Sequence, residues 1–287
     1  MAFIFGFILL IVSIIAGFVG GGGNLLVLLQ PFEILIVCGS ALAVFIISNP
    51  SSVRKQVWRK LGRSMTHPAT TREDYLETLN FLFHFMRFMK SNTAAMVERH
   101  IETPMNSSIF RTFPGIAANK SAVVFFCDYI RTITMGCDNP YELERIMDED
   151  LQTRYRDLQD VNYSIHRIAD ALPALGIIGA VLGVINAMSA ISADPKILAQ
   201  RIAAALIGTF VGVFFSYCII SPLGFCVDKH GRDELRLLEC IKASIIAYVR
   251  GQPPIIAVEC ARQSIPGPHK PSFIEVERAI KKKKPKG

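Results

Sequence analysis

The residues of this 287-residue sequence whose types could do chemistry are two prolines inside stretches without charge. Pro173 lies in LPALGIIGAVLGV, where Gly176, Gly179 and Gly183 follow it, and Pro222 lies near the end of LIGTFVGVFFSYCIISPL. A proline has no N–H, so a helix that contains one leaves a backbone carbonyl without its donor. Glycines let helices approach closely in lipid. The pattern predicts a shaped surface between helices, not a reactive group.

Ordinary catalytic and metal-binding motifs are not found. The seven cysteines form no C-x-x-C pair, and the six histidines show no Ser-His-Asp or Cys-His order. The run GGGGN at 20–24 lacks the Lys-Ser/Thr of a phosphate loop. We therefore expect no enzyme, no metal site, no disulfide framework and no cofactor.

Four stretches without charged side chains stand out, at residues 1–32, 34–53, 171–193 and 202–227. Each can form a helix of about 20 residues, the length that crosses the hydrocarbon core of a bilayer. The first stretch lacks the basic start and the small-residue cleavage site of a signal peptide, so it is interpreted as a retained helix. The sequence predicts a polytopic membrane protein with four transmembrane helices.

Lysine and arginine are unevenly placed between these stretches. Residues 54–169 hold 16 of them and residues 228–287 hold 13, whereas 194–201 hold two and 20–33 hold none. Because basic residues near spans stay inside the cell, both long segments and both termini are predicted to be cytoplasmic.

The whole chain is predicted to be all-α. Residues 1–53 would carry the first two spans, 54–169 a cytoplasmic insert, 170–227 the last two spans and 228–287 a helix with a basic tail. The insert and the tail are expected to form one helical domain. The terminal KKKKPK has two open interpretations, a run that contacts anionic lipid or a solvated tail.

Two helices of the insert have recognisable starts. Thr70 with Glu73 is a candidate capping box. Pro140 suits the first turn of a second helix, in which apolar residues recur in steps of three and four with one break at Arg154. This seam of period 3.5 predicts one long helix that continues into the third span. Its positions are 143, 147, 151, 158, 161, 165, 168, 172 and 175.

Inside the four charge-free stretches no ionisable side chain of the Asp, Glu, Lys, Arg or His type occurs. Ion pumps place such a group in the membrane, so a partner would have to bring the carboxylate. Gly179 with Gly183, and Gly208 with Gly212 and Ser216, have the spacing of helix-packing faces.

These stretches together resemble the MotA family of flagellar motor stator subunits over nearly the full chain. Further similar stretches are QPFEILIVCG, IETPMNSSIF, FPGI, YELERIMDEDL and PPIIAVECARQSIPGPHKPSFIEVE. The resemblance implies a ring, five copies in the family, around MotB, whose single span carries an aspartate. It also implies ion flow through that aspartate and torque on the rotor protein FliG.

By resemblance, Pro173 and Pro222 match the family prolines near the partner's aspartate. Ala180 and Thr209 would face the ion pathway, and Asp170 lies just before it. The family associates a hydroxyl at the position of Ala180 with sodium, so protons are the expected ion here.

The family's rotor-facing charges match Lys90 and Glu98, with Arg87, Arg99 and Glu102 as neighbours that share the role. Lysine stands where the family pattern has arginine, so the charge remains but the bidentate geometry is lost. No nucleic-acid partner is predicted.

Three other functions stay open at this point. An ExbB or TolQ-type energiser of outer-membrane processes is related, but usually has three spans. A passive membrane scaffold would also explain the glycines. A self-contained transporter is disfavoured because the spans lack an ionisable group.

Overall fold

The protein is almost wholly helical. Its structure, a computed structural model, describes residues 2–66, 70–137, 139–189 and 195–282, and no β-strand occurs in these residues. The all-α prediction is therefore confirmed. The α-helices, numbered in chain order, are α1 (Ala2–Gly20), α2 (Pro31–Ser48), α3 (Ser51–Thr66), α4 (Arg72–Ser91), α5 (Ala94–Glu102), α6 (Ser108–Thr112), α7 (Pro114–Ala118), α8 (Lys120–Thr134), α9 (Pro140–Met188), α10 (Pro195–Phe214), α11 (Ser221–Val249), α12 (Pro254–Ser264) and α13 (Phe273–Lys282).

The chain divides into two compact units, each built from two separate segments. The span unit comprises Met1–Met65 and Gln159–Asp228, and the insert unit comprises Thr66–Leu158 and Lys229–Gly287. The long helices α9 and α11 each contribute residues to both units.

Within the described ranges, three helical segments are long and apolar enough to cross a membrane: Leu25–Ser48, Pro140–Met188 and Pro195–Val249. A further apolar segment of α1, Phe5–Gly20, is shorter. Many large apolar side chains of these segments are exposed, which would be costly in water but is favourable against lipid. The chain is a membrane protein by these properties.

The apolar seam predicted for α9 is present along a continuous 49-residue helix. Pro173 lies inside this helix and does not end it. Seven of the nine predicted seam positions are buried, and Ile168 and Leu175 are half-buried. The seven are Leu143, Met147, Leu151, Leu158, Val161, Ile165 and Leu172. The predicted period is therefore confirmed, because a helix exposes the same face to its neighbours every seven residues.

The core of the span unit consists of two small apolar clusters. In one, Val37 of α2 packs with Leu172 of α9 and Val211 of α10. In the other, Val57 of α3 packs with residues of α2, α9 and α11. Helix α3 is thereby fixed against the spans by an apolar side chain, while Trp58 is exposed.

Phenylalanines dominate the core of the insert unit. Phe81 of α4 is fully buried, and its ring centroid lies 4.8 Å from that of Phe110, 5.0 Å from that of Phe126 and 5.8 Å from that of Phe113. Tilted and edge-on ring pairs of this kind add to the stability that apolar burial gives. Helix α4 is therefore the central element of this unit.

The start of α4 differs from the prediction by one residue. The capping residue is Thr71, not Thr70, and its backbone N–H donates to the Asp74 carboxylate over 2.7 Å. Asp74 in turn has its backbone N–H bonded to the Thr71 hydroxyl. The predicted pair of Thr70 and Glu73 was wrong. The backbone is still extended at Thr71, so the helix begins one residue later than predicted.

The C-terminal helices pack on α4, so the insert and the tail form one helical unit. Arg72 makes a 2.7 Å ion pair with Glu275 of α13, and Asn80 donates to the carbonyl of Ala279 over 3.0 Å. The charged C-terminal run KKKKPK, apart from Lys281 and Lys282, lies outside the described residues.

Candidate functional site

Glycines permit backbone contact where α9 and α10 cross. A methyl group added at Gly212 would lie 2.5 Å from the carbonyl oxygen of Leu172 and 2.9 Å from the Cα of Gly176. One added at Gly176 would lie 2.8 Å from the carbonyl oxygen of Gly208. Any side chain at these positions would separate the two helices. Pro173, on α9, is therefore held on a closely packed helix pair.

Pro173 leaves the carbonyl of Ala169 without the N–H that would bond it in an unbroken helix. The structure supplies another donor, because the buried Ser216 hydroxyl donates to the Ala169 carbonyl over 2.6 Å. This bond joins α9 to the segment that follows α10. The glycine spacing predicts Ser216 in a packing face but does not predict this hydrogen bond.

The second proline follows a π-helical segment, Phe215–Ile220, which begins directly after α10. Here the N–H of Ser221 bonds to the carbonyl of Ser216, five residues back. Pro222 then stands in the first turn of α11. The wider π-turn accommodates a residue without an N–H while the helical course continues. Pro222 therefore does not end the helix.

The other predicted pathway residues lie on α9 and α10. The backbone of Ala180 lies beside Gly208, since a methyl at Gly208 would be 3.2 Å from the Ala180 nitrogen. Thr209 is half-buried next to it. Gly183 faces Ala205, and Asp170 is exposed. The structure therefore brings Ala180 and Thr209 to the α9–α10 crossing, whereas Asp170 is exposed.

Glu33 is a site residue that the sequence reasoning missed. It lies inside the candidate span Leu25–Ser48, so the expectation that the spans carry no ionisable group was wrong at this position. Its carboxylate packs beside Gly179, Gly183 and Gly208. The signal in the sequence was a single acidic residue separating two long charge-free stretches.

The second group of predicted residues lies on α4 and α5 of the insert unit. Val97 and Ile101 of α5 are buried, whereas Glu98 and Glu102, each one residue further along the helix, are exposed. His100 anchors α5 to α4, where its ring centroid is 4.8 Å from that of Phe88. Burial lowers the pKa of His100, so its neutral form is favoured.

All five predicted rotor-contact side chains are exposed on these adjacent helices: Arg87, Lys90, Glu98, Arg99 and Glu102. Among the described residues, no salt bridge involves any of the five. Charges of both signs are therefore available to a partner. We call this set the α4–α5 charged surface.

No cluster of three or more metal-ligating side chains occurs in the part of the chain that the structure describes. A large open groove of about 1040 Å³ lies in the insert unit, between α9, α11 and α12. Ion pairs lie along it, Lys242 with Asp148 and Arg250 with Glu144, each at 2.6 Å. None of the predicted site residues lines this groove.

Comparison with known sequences gives two family matches and several relatives of nearly full length. Residues 4–93 match the family described as motility protein A N-terminal, and residues 117–238 match the MotA/TolQ/ExbB proton channel family. The chemotaxis protein LafT of Vibrio parahaemolyticus is 32% identical over 95% of this chain and 96% of its own. Motility protein A of Salmonella typhimurium is 31% identical over 98% and 95%, respectively. The chain belongs to the MotA family.

Solved structures of MotA-containing complexes have the same fold. A chain of the Campylobacter jejuni MotAB structure superimposes with a TM-score of 0.77 over 93% of this chain and 96% of that one, at 18% identity. A chain of the Bacillus subtilis flagellar MotAB stator complex gives 0.65 over 87% and 91%, at 19% identity. At this coverage, each superposition includes residues of both units of this MotA-family chain.

Proposed function

We propose that this chain is a stator subunit of the flagellar motor, which conducts protons together with MotB and turns the rotor protein FliG. The observation that supports this most is the identity to motility proteins, which extends over 95–98% of the chain and so includes both the spans and the insert. An enzyme activity has no place in this function.

In this proposal the span unit holds four transmembrane helices of the inner membrane, with α1 as the fourth. Both termini and the insert unit lie in the cytoplasm, in agreement with the excess of lysine and arginine there. Five copies surround MotB, as the family resemblance implies, and the partner's span supplies an aspartate. The glycine-packed pair of α9 and α10, with Pro173 and Pro222, forms the wall along which that carboxylate moves.

The proposed ion is the proton. Sodium needs several oxygen ligands, and the side chain of Ala180 offers none beside the crossing. One unit charge moving through about 100 mV releases about 2.3 kcal/mol, which is enough to bias a step between two packed arrangements. Ion passage would then reorient the ring, and the α4–α5 charged surface would transmit the movement to FliG.

Deleting the gene tests the function, with swimming assays and electron microscopy of the same cells. The expected result is paralysed cells that still carry intact filaments, restored to swimming by the gene on a plasmid. Normal swimming with impaired outer-membrane uptake would instead support the ExbB or TolQ-type alternative. The match of residues 4–93 to the motility protein A N-terminal family favours the stator.

Charge reversal tests the rotor contact. We expect Lys90→Glu to reduce torque and the double variant with Glu98→Lys to regain part of it, because both charges act on one surface. Lys120→Glu is the control, since Lys120 is also exposed but lies at the start of α8. Unaltered rotation of the Lys90→Glu variant at low ionic strength, where screening is weak, would contradict the contact.

A further inference from the structure

The carboxylate of Glu33 lies in a pocket formed by glycines of two other helices. Glu33 is in the first turn of α2. A methyl group added at Gly179 would lie 3.4 Å from Oε2, one at Gly208 would lie 3.2 Å from Oε2, and one at Gly183 would lie 3.4 Å from Oε1. The absence of side chains on α9 and α10 at these three positions makes room for the carboxylate.

The carboxylate has no protein partner at one of its oxygens. Oε2 is inaccessible to solvent and accepts no hydrogen bond from any described residue. Ala205 lies next to the Gly183 position, and Ile36 and Val37 of α2 lie next to Gly179. All three are apolar, and none can neutralise a negative charge.

Titratable groups on the packed helices lie further along. Arg201 of α10 is seven residues before Gly208, about 10 Å at 1.5 Å per residue, and its guanidinium donates to Asn186 over 3.0 Å and 3.3 Å. Asp170 of α9 is nine residues before Gly179, at the end where Pro173 lies. The site is therefore defined by one carboxyl group in an apolar surrounding.

A residue that only filled this space would not need to be acidic. An unpaired charge inside a span is costly, and a protein avoids that cost by protonating the group. A group whose charge can be removed by one proton, placed where ions are expected to pass, is suited to proton exchange. Sodium is the less suitable ion, because the surrounding glycine, alanine, valine and isoleucine side chains supply no further oxygen ligands.

We propose that the Glu33 carboxyl group is a proton-binding site of this chain. It lies at the level of Ala180, which follows Pro173 by seven residues on α9. This inference rests on the stator function proposed above. A hydronium ion at the outer side transfers its proton to the Glu33 carboxylate, where an O–H bond forms and a water molecule is left. That bond breaks when the proton passes, directly or through water, to the partner's carboxylate, which becomes neutral while Glu33 regains its charge.

The test uses the complete complex of this chain with its partner in vesicles that contain a pH-sensitive dye, under an imposed membrane potential. Proton flux is recorded over a series of external pH values for wild type, Glu33→Gln and Glu33→Asp. Glu149→Gln is the matched control, because it also converts an acid to its amide but is exposed on α9 in the insert unit. Co-purification with the partner measures assembly.

We expect Glu33→Gln to assemble and to lower the flux at least about tenfold, with loss of one titration from the pH profile. Glu33→Asp should retain that titration at a displaced pH. An unchanged flux and profile in Glu33→Gln would overturn the inference. If Glu33→Gln does not assemble, Glu33→Asp decides: a displaced titration supports the site, and an unchanged profile overturns it.

Two further results separate this inference from the function on which it rests. A wild-type complex that passes no protons overturns the stator proposal and the site with it. A normal wild-type flux with an unaltered Glu33→Gln variant overturns the site alone. Flux that follows a sodium gradient and is lost in Glu33→Gln would overturn the assignment to protons.

Discussion

At the crossing of α9 and α10 in the span unit, Gly176 and Gly212 bring one backbone onto another, whereas in the insert unit Phe81 is surrounded by aromatic rings. The difference follows from the surroundings. In water, burying a large apolar side chain stabilises a fold, so large rings fill the core. In lipid that driving force is missing between helices, and close backbone packing replaces it. A substitution that is harmful in one unit should therefore be harmful for a different reason in the other.

The largest effect is expected for Phe81→Ala, which empties the centre of the aromatic core. Removal of a fully buried phenylalanine side chain costs about 3–5 kcal/mol. Thermal unfolding of the purified protein measures this loss of stability, and hydrogen exchange in peptides of α4 and α8 shows whether it lies in the insert unit. Val124→Ala in α8, where the side chain is half-exposed, is the control. Equal losses in both variants would show that the aromatic core is not what stabilises this unit.

Next in size is Gly212→Ala, which tests the opposite kind of packing. The added methyl group would lie 2.5 Å from the Leu172 carbonyl oxygen, so the helices must move apart at a cost of about 1–3 kcal/mol. Gly17→Ala in α1 is the control, because nothing lies within 4 Å of its added methyl group. Melting temperatures of the two variants in detergent provide the comparison. Equal stability of the two would mean that α9 and α10 do not need backbone contact.

A smaller loss, about 1–2 kcal/mol, is expected for Ser216→Ala. The substitution removes the donor to the Ala169 carbonyl, which Pro173 leaves without its helical N–H. Ser13→Ala is the matched control. The Ser13 hydroxyl also donates to a helix carbonyl, that of Leu9, over 2.7 Å, but no proline disturbs the helix there. A melting temperature lowered to the same extent by both would contradict the role given to Ser216.

The smallest effect concerns His100 and pH. Burial lowers the pKa of His100 in the folded chain. The unfolded chain therefore protonates His100 at its ordinary pKa of about 6.5, whereas the folded chain protonates it only at a lower pH. The stability of the insert unit should therefore fall as the pH drops below that value. His100→Gln should show a smaller decrease in melting temperature between about pH 7.5 and about pH 5.5 than wild type does. A larger decrease would contradict the assignment.

Periodic features could be predicted from the sequence, whereas partners between distant residues could not. The seam of α9 repeats over many turns, so its one break, at Arg154, does not hide the period. The capping box was harder to place, since Thr70 with Glu73 and Thr71 with Asp74 have the same spacing. Only the backbone before α4 distinguishes the two.

Ser216 and Glu33 show why the site was harder to predict than the helices. The helical hydrogen-bond rule identifies Ala169 as the carbonyl that Pro173 leaves open, but its donor Ser216 is 47 residues away. In the sequence, Glu33 lies between two apolar stretches, and length and charge alone do not show where its carboxylate points. The glycines that receive it were predicted only as a packing surface.

The central claim is that the span unit carries the ions and the insert unit transmits the torque. The most direct test measures proton flux and torque together in cells that carry Pro173→Ala or Lys90→Glu. The account predicts that Pro173→Ala lowers both quantities, whereas Lys90→Glu lowers torque and leaves the flux of assembled complexes at the wild-type level. Loss of proton flux in assembled Lys90→Glu complexes, or normal flux in Pro173→Ala, would contradict it.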